Sequence, residues 1–233
     1  MNTQTLISEL SFHQLSNLAM SRDGSGTIRT QDMGKVIACI NDGLRTLHEE
    51  FTILQKVVHI RLFEHITTYH LVSRFADSQQ PQPGVTQPYI IDHNRTPFKG
   101  DVNKITAVWD NLGRERVIND ENDMRSVFVM GPDSITVPYP EKDVILFVHY
   151  NAKPQHVTME NLDEELDIPT NLVPALKAFV ASQIFMSIGT NESVRMAQAY
   201  ENQYVSMVRM LKASDALAES KFTPNQFEER GWV

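Results

Sequence analysis

Between Thr170 and Leu211 apolar residues recur at three- and four-residue spacing and predict two amphipathic helices joined at Gly189-Thr190-Asn191. Leu172, Leu176, Phe179, Val180, Ile184 and Ile188 form one stripe of the first helix. Thr170 or Asn171 can cap its start, and Pro174 falls in the first turn, where no intrahelical donor is lost. Gly189 suits the left-handed position that ends a helix. The second helix opens at Thr190 or Asn191 and turns Met196, Ala197, Tyr200, Tyr204, Met207, Val208 and Leu211 inward. So short a connection makes the pair an antiparallel helical hairpin. The first helix carries a second stripe, Ala178, Ala181 and Phe185, which calls for something on its other side.

The N-terminal pattern is also helical. Ser11-Phe12-His13-Gln14 has the form of a capping box, with Leu10 and Leu15 placed for a hydrophobic staple, and predicts a short helix to about Met20. Arg22-Asp23-Gly24-Ser25-Gly26 lacks the GK[ST] ending of a phosphate-cradling loop and reads as a turn. Thr30 is then expected to cap a longer helix, with Asp32 in its first turn and Met33, Val36, Ile37, Ile40, Leu44, Leu47 and Phe51 on one face. Gly34 and Gly43 inside it each cost about 1 kcal/mol relative to alanine, which close approach of another backbone or simple tolerance would explain.

After Phe51 the period changes to two. Val58, Ile60 and Leu62 oppose His59 and Arg61, and Ile66 to Val72 reads as a second strand, with Phe63-Glu64-His65 as the hairpin turn. Ile105 to Trp109 and Arg116 to Ile118 flank a hairpin turn at Asn111-Leu112-Gly113. Ser126 to Met130, Ser134 to Val137 and Val144 to Tyr150 complete the strands. Ser78 to Gly84 (SQQPQPG) has no apolar anchor and reads as a loop. The expected architecture is α+β: a four-helix layer built from residues 1–50 and 160–212, an inserted antiparallel β-sandwich or barrel over residues 51–159, and an arm over 213–233.

Composition narrows the function. The 233 residues are 41% hydrophobic, enough for a real core, and carry a net charge of −8 with scattered basic residues, which argues against sequence-specific DNA binding. No unbroken apolar run reaches the ~18 residues of a membrane span, and the start lacks the pattern of a signal peptide. A single cysteine, Cys39, supports no internal disulfide framework and points to synthesis in a reducing cytoplasm.

Candidate chemistry is sparse. His59 and His65 fall on one strand face and His70 on the other, and no His pair has the spacing of a zinc protease. Asp92-His93-Asn94 and Asn119-Asp120-Glu121-Asn122-Asp123 are oxygen-rich but lack the form of a calcium loop. Cys39 sits in a predicted helix, no G-x-S-x-G elbow occurs, and Asp163-Glu164-Glu165-Leu166-Asp167 reads as a solvated approach to a helix. The expectation is no catalytic residue, no cofactor and no metal. The tail differs: Phe222, Phe227 and Trp232 stand five residues apart, interrupted by Pro224 and Gly231, and suit an extended arm.

The order of elements resembles the head-to-tail adaptor proteins of tailed bacteriophages, of the tail tubular protein A type. Asn41-Asp42-Gly43-Leu44-Arg45-Thr46-Leu47-His48 is similar to that family's early helix. Ile145 to Pro154 (ILFVHYNAKP) is similar to its closing strand, and Ile168-Pro169, Leu176 and Tyr200 to Val205 are similar to its closing helical hairpin. The SQQPQPG loop and the aromatic tail depart from it. The resemblance implies a structural virion protein at the head–tail junction, assembled as a ring, commonly of twelve copies. Its partners would be further copies of itself, the portal protein and the tail tube or nozzle, with DNA passing through and no membrane contact. Ala178, Ala181, Phe185, Phe222, Phe227 and Trp232 are then candidate subunit or partner contacts. The alternatives are another phage neck or tail-completion protein, or a hydrolase with a dispersed site.

Overall fold

The structure, a computed structural model, describes residues 1–21, 26–79 and 87–214. Among these residues four helices and eight strands follow in the order α1 (Thr3–Phe12), α2 (Thr30–Glu50), β1 (Gln55–Arg61), β2 (Thr68–His70), β3 (Ile90–Ile91), β4 (Val102–Asp110), β5 (Glu115–Arg116), β6 (Phe128–Gly131), β7 (Ser134–Thr136), β8 (Ile145–Ala152), α3 (Val173–Ile188) and α4 (Asn191–Ala213). The protein is thus mixed helix and antiparallel sheet. It divides into two units: residues 1–53 with 154–214, and residues 54–153.

In the helical unit, α1 runs earlier than its sequence pattern predicts. Asn2 is its cap, accepting the Thr5 N–H at 2.8 Å, and Leu6, Ile7 and Leu10 are buried on one side. Ser11, the expected cap, lies fully buried in the last turn, and its hydroxyl meets that of Ser21 at 2.7 Å. The S-x-x-Q pattern therefore marks a helix end tied to a neighbouring loop. On α2, Thr30 is the first helical residue and not the cap; the capping Arg29 gives no side-chain bond. A 3-10 turn, Thr170–Leu172, leads into α3, which Gly189 ends at φ 76°. Thr190 caps α4 in a reciprocal box with Ser193.

α3 is apolar on all sides, the pattern of a helix surrounded by others. It packs against α4, α2 and α1, and all four helices share one apolar cluster. By length and a mean hydropathy of 1.3, Thr170–Ile188 could cross a membrane, contrary to the expectation drawn from unbroken apolar runs. In this fold 56% of that window is buried among the other helices.

The glycines of α2 differ in kind. A Cβ at Gly43 would lie 2.6 Å from Leu176 Cδ1 and 2.9 Å from Phe179 Cδ1, whereas one at Gly34 would meet nothing within 4 Å. The close approach at Gly43 is by side chains of α3, not by a backbone. Gly43→Ala is therefore expected to destabilise the helical unit by about 1–3 kcal/mol through overpacking. Gly34→Ala should instead stabilise it by up to about 1 kcal/mol. Urea titrations of the two variants would show midpoints moving in opposite directions.

Polar groups of α2 fasten the chain that returns to the helices. Asn41 donates to the Val157 carbonyl at 2.9 Å and accepts its N–H at 2.8 Å, and buried His48 donates through Nε2 to the Asp167 carbonyl at 2.9 Å. The acidic run is pinned through its backbone to the N-terminus: Gln4 N–H reaches Leu162 O and Leu166 N–H reaches Met1 O, both at 3.0 Å.

In the β unit a five-stranded sheet has the order β3-β1-β8-β4-β5 and a three-stranded sheet the order β2-β7-β6. Both are antiparallel and neither closes into a barrel. Their inner faces share a second apolar cluster around Val58, Ile60, Tyr69, Ile135 and Val148. β1 and β8 pair from Gln55↔Asn151 to Arg61↔Ile145, so the chain leaves the helices and returns to them at neighbouring strand ends. Phe63-Glu64-His65 is not a hairpin turn. It carries the chain from one sheet to the other, because β1 pairs with β3 and β8 while β2 pairs with β7. The turn at Asn111-Leu112-Gly113 does join β4 to β5.

Candidate interaction surfaces

The hairpin stripe comes first. Ala178, Ala181 and Phe185 are 2%, 0% and 7% exposed and lie in the protomer's own helical core, where the Phe185 ring stacks on Tyr200 at 5.6 Å. α1, α2 and α4 supply the covering on both sides of α3. The apolar side chains that the hairpin leaves exposed are others: Met186, Ile188, Met196, Val205 and Met210. Phe222, Phe227 and Trp232 lie outside the described residues, as do Arg22–Ser25 and most of the SQQPQPG loop.

The histidines do not converge. His59 on β1 stacks edge-on with Phe147 at 4.7 Å, His65 neighbours Phe63, and His70 on β2 stacks on Phe75. Among the described residues no three of His, Cys, Asp and Glu gather as metal ligands would. Burial pushes the Cys39 thiol up from its ordinary value, and Asp42 adds to that, which disfavours the reactive thiolate.

The oxygen-rich segments turn on themselves. Asp120 Oδ1 accepts the Asn122 N–H at 2.9 Å, Asp123 Oδ1 the Arg125 N–H at 2.8 Å, and Asn119 Oδ1 the Val129 N–H at 2.9 Å. Asp92 accepts the Ser78 N–H and hydroxyl and the Phe98 N–H. Burial alone would raise the Asp92 carboxyl, but these bonds together hold it below its ordinary value.

Tyr69 and Tyr89 lock the two sheets' connections. The Tyr69 hydroxyl accepts from Phe63 N–H at 2.9 Å and donates to Phe63 O, and that of Tyr89 does the same with His70 at 2.8 and 3.0 Å. Burial pushes the Tyr89 phenol up to about 12. On α4, burial with Glu50 and Glu201 nearby does the same to Tyr204.

One concave feature of the β unit has no periodic signal in the sequence. Beside β1, the chain from Ile91 to Asp101 encloses a half-open cavity of about 620 Å³. Its hints in the sequence are the oxygen-rich Asp92-His93-Asn94 and two cations four residues apart, Arg95 and Lys99. Compared with known proteins, the chain matches no protein-family model, and no curated protein matches it.

Proposed function

We propose that this protein is a structural component of a bacteriophage virion, a head-to-tail adaptor of the tail tubular protein A type. It would assemble as a ring between the portal protein and the tail tube or nozzle, with DNA passing through. The observation that carries this reading is the order of elements. Two helices are followed by a β-rich stretch that begins and ends on the paired strands β1 and β8, and then by a closing helical hairpin. That order supports the resemblance held by Asn41–His48, Ile145–Pro154 and Ile168–Val205.

Within this reading α1, α2, α3 and α4 make a four-helix layer, and the two sheets make a small sandwich. Subunit contacts are better served by the exposed Met186, Met196, Val205 and Met210 than by the covered Ala178, Ala181 and Phe185. The aromatics Phe222, Phe227 and Trp232 remain anchors for a neighbouring subunit or the portal. A net charge of −8 suits a passage that must not trap DNA. The protein would be made in the host cytoplasm and act without cofactor or metal.

Native mass spectrometry of the purified protein tests the proposal. A closed ring is expected, near 318 kDa for twelve copies of a 26.5 kDa chain. A compact monomer carrying stoichiometric zinc would overturn it.

A further inference from the structure

The cavity beside β1 borders a strand edge that is only partly covered. β3 pairs with β1 at His59 and Ile60 alone. The chain then turns away, with the Thr96 N–H donating back to the His93 carbonyl at 2.9 Å. Along β1 the backbone groups alternate in direction. The Leu54 carbonyl accepts from Ala152 and the Leu62 N–H donates to Val144, both towards β8, while the Arg61 N–H reaches the Tyr89 carbonyl on the opposite side, each at 2.8 Å. The two-residue repeat therefore aims the N–H and C=O of Gln55 and Val57 at the side β3 leaves open, where no described backbone group meets them.

The charges around this edge do not cancel. Lys56 sits 2.6 Å from Asp101, whose other oxygen accepts the Tyr150 hydroxyl at 3.0 Å, so that pair closes one end. Asp92 faces into its own loop, as described above. Arg95 and Lys99 are exposed and make no ion pair among the described residues. Val57, 42% exposed, adds an apolar wall. In a chain of net charge −8 this is a local cationic exception.

We propose that this groove binds an extended acidic segment of a partner protein, which adds a short strand to β1 opposite Gln55–Val57 and sets its carboxylates against Arg95 and Lys99. An open strand edge offers donors and acceptors in alternation, which a peptide backbone matches. A phosphate backbone, acceptor only, cannot match that alternation. The proposal stands independently of the ring reading.

The test uses the full chain and a fluorescent hexapeptide of alternating Val and Glu. Binding by anisotropy is expected, together with slowed hydrogen exchange at the Val57 amide. The double variant Arg95→Glu, Lys99→Glu should bind about tenfold more weakly or worse. The same peptide N-methylated at every residue keeps its charges but loses the donors on both of its edges, and it should not bind. Absence of binding at millimolar peptide would overturn the proposal. So would equal binding of the N-methylated peptide, or displacement of the peptide by an equimolar single-stranded oligonucleotide.

Discussion

Replacing Ala181 with glutamate is expected to unfold the helical unit, not to leave a folded protomer that merely fails to assemble. Ala181 has no exposed surface, and α3 is enclosed by α4, α2 and α1. A carboxylate there must displace packed side chains and give up its hydration. The nearest cation in helical register, Lys177 one turn earlier, is already paired with Glu9. Burying an unpaired charge belongs to the most damaging class of substitution, at about 4 kcal/mol or more. Far-ultraviolet circular dichroism and urea titration of the variant read this directly. Met210→Glu is the contrasting control: at 64% exposure it should shift stability by no more than about 0.5 kcal/mol. A variant Ala181→Glu with full helicity and an unchanged urea midpoint would mean that α3 presents this stripe to another subunit.

The same stripe shows where reading the sequence succeeds and where it stops. Three- and four-residue spacing places α3 and α4, and Gly189 and Thr190 mark their junction, because caps and amphipathic faces are local chemistry. The second stripe of α3 is equally visible, but α3 is enclosed by α1 and α2, more than a hundred residues earlier, as well as by α4, and spacing carries no information about those distant partners. The strands repeat the lesson. Alternation finds β1 and β8, whereas Phe63-Glu64-His65 looks like a hairpin turn because nothing local says that β2 pairs with β7. Two-residue β3 is too short to show a period. The groove is harder still: it exists only because β3 stops pairing after Ile91 and leaves Val57 uncovered, a property of register and not of composition. Ser11 shows the converse error, a correct capping pattern at a helix end whose hydroxyl is taken by Ser21.

Asp110→Ala is expected to lower the stability of the β unit by about 3 kcal/mol or more, and Asp110→Asn by about 1–2 kcal/mol. Asp110 closes the β4–β5 hairpin while 2% exposed. Its Oδ1 accepts the N–H groups of Leu112 at 2.9 Å and Arg114 at 3.0 Å, and its Oδ2 accepts from Arg114 Nε at 3.1 Å. Buried Arg116 lies 3.8 Å from the same oxygen. Alanine strands both backbone donors and leaves the Arg116 charge with only Glu141, equally near at 3.8 Å but exposed to solvent, whereas asparagine keeps an acceptor but turns an amide donor towards two guanidinium groups. The pH dependence separates these effects. Burial pushes the Asp110 carboxyl up, but the Arg114 and Leu112 N–H groups and the Arg114 guanidinium outweigh it and hold the carboxyl below its ordinary value. A carboxyl depressed in the folded state contributes stability that is full above its unfolded pKa of about 4 and disappears as pH falls through the folded one. The wild-type advantage over Asp110→Asn should therefore be constant from neutral pH to about pH 5 and shrink below about pH 4. Asp92, depressed in the same direction, keeps some acid sensitivity in the variant. A difference between the two proteins that grows on acidification would show that Asp110 is protonated in the native state and that the hairpin is not held by its charge.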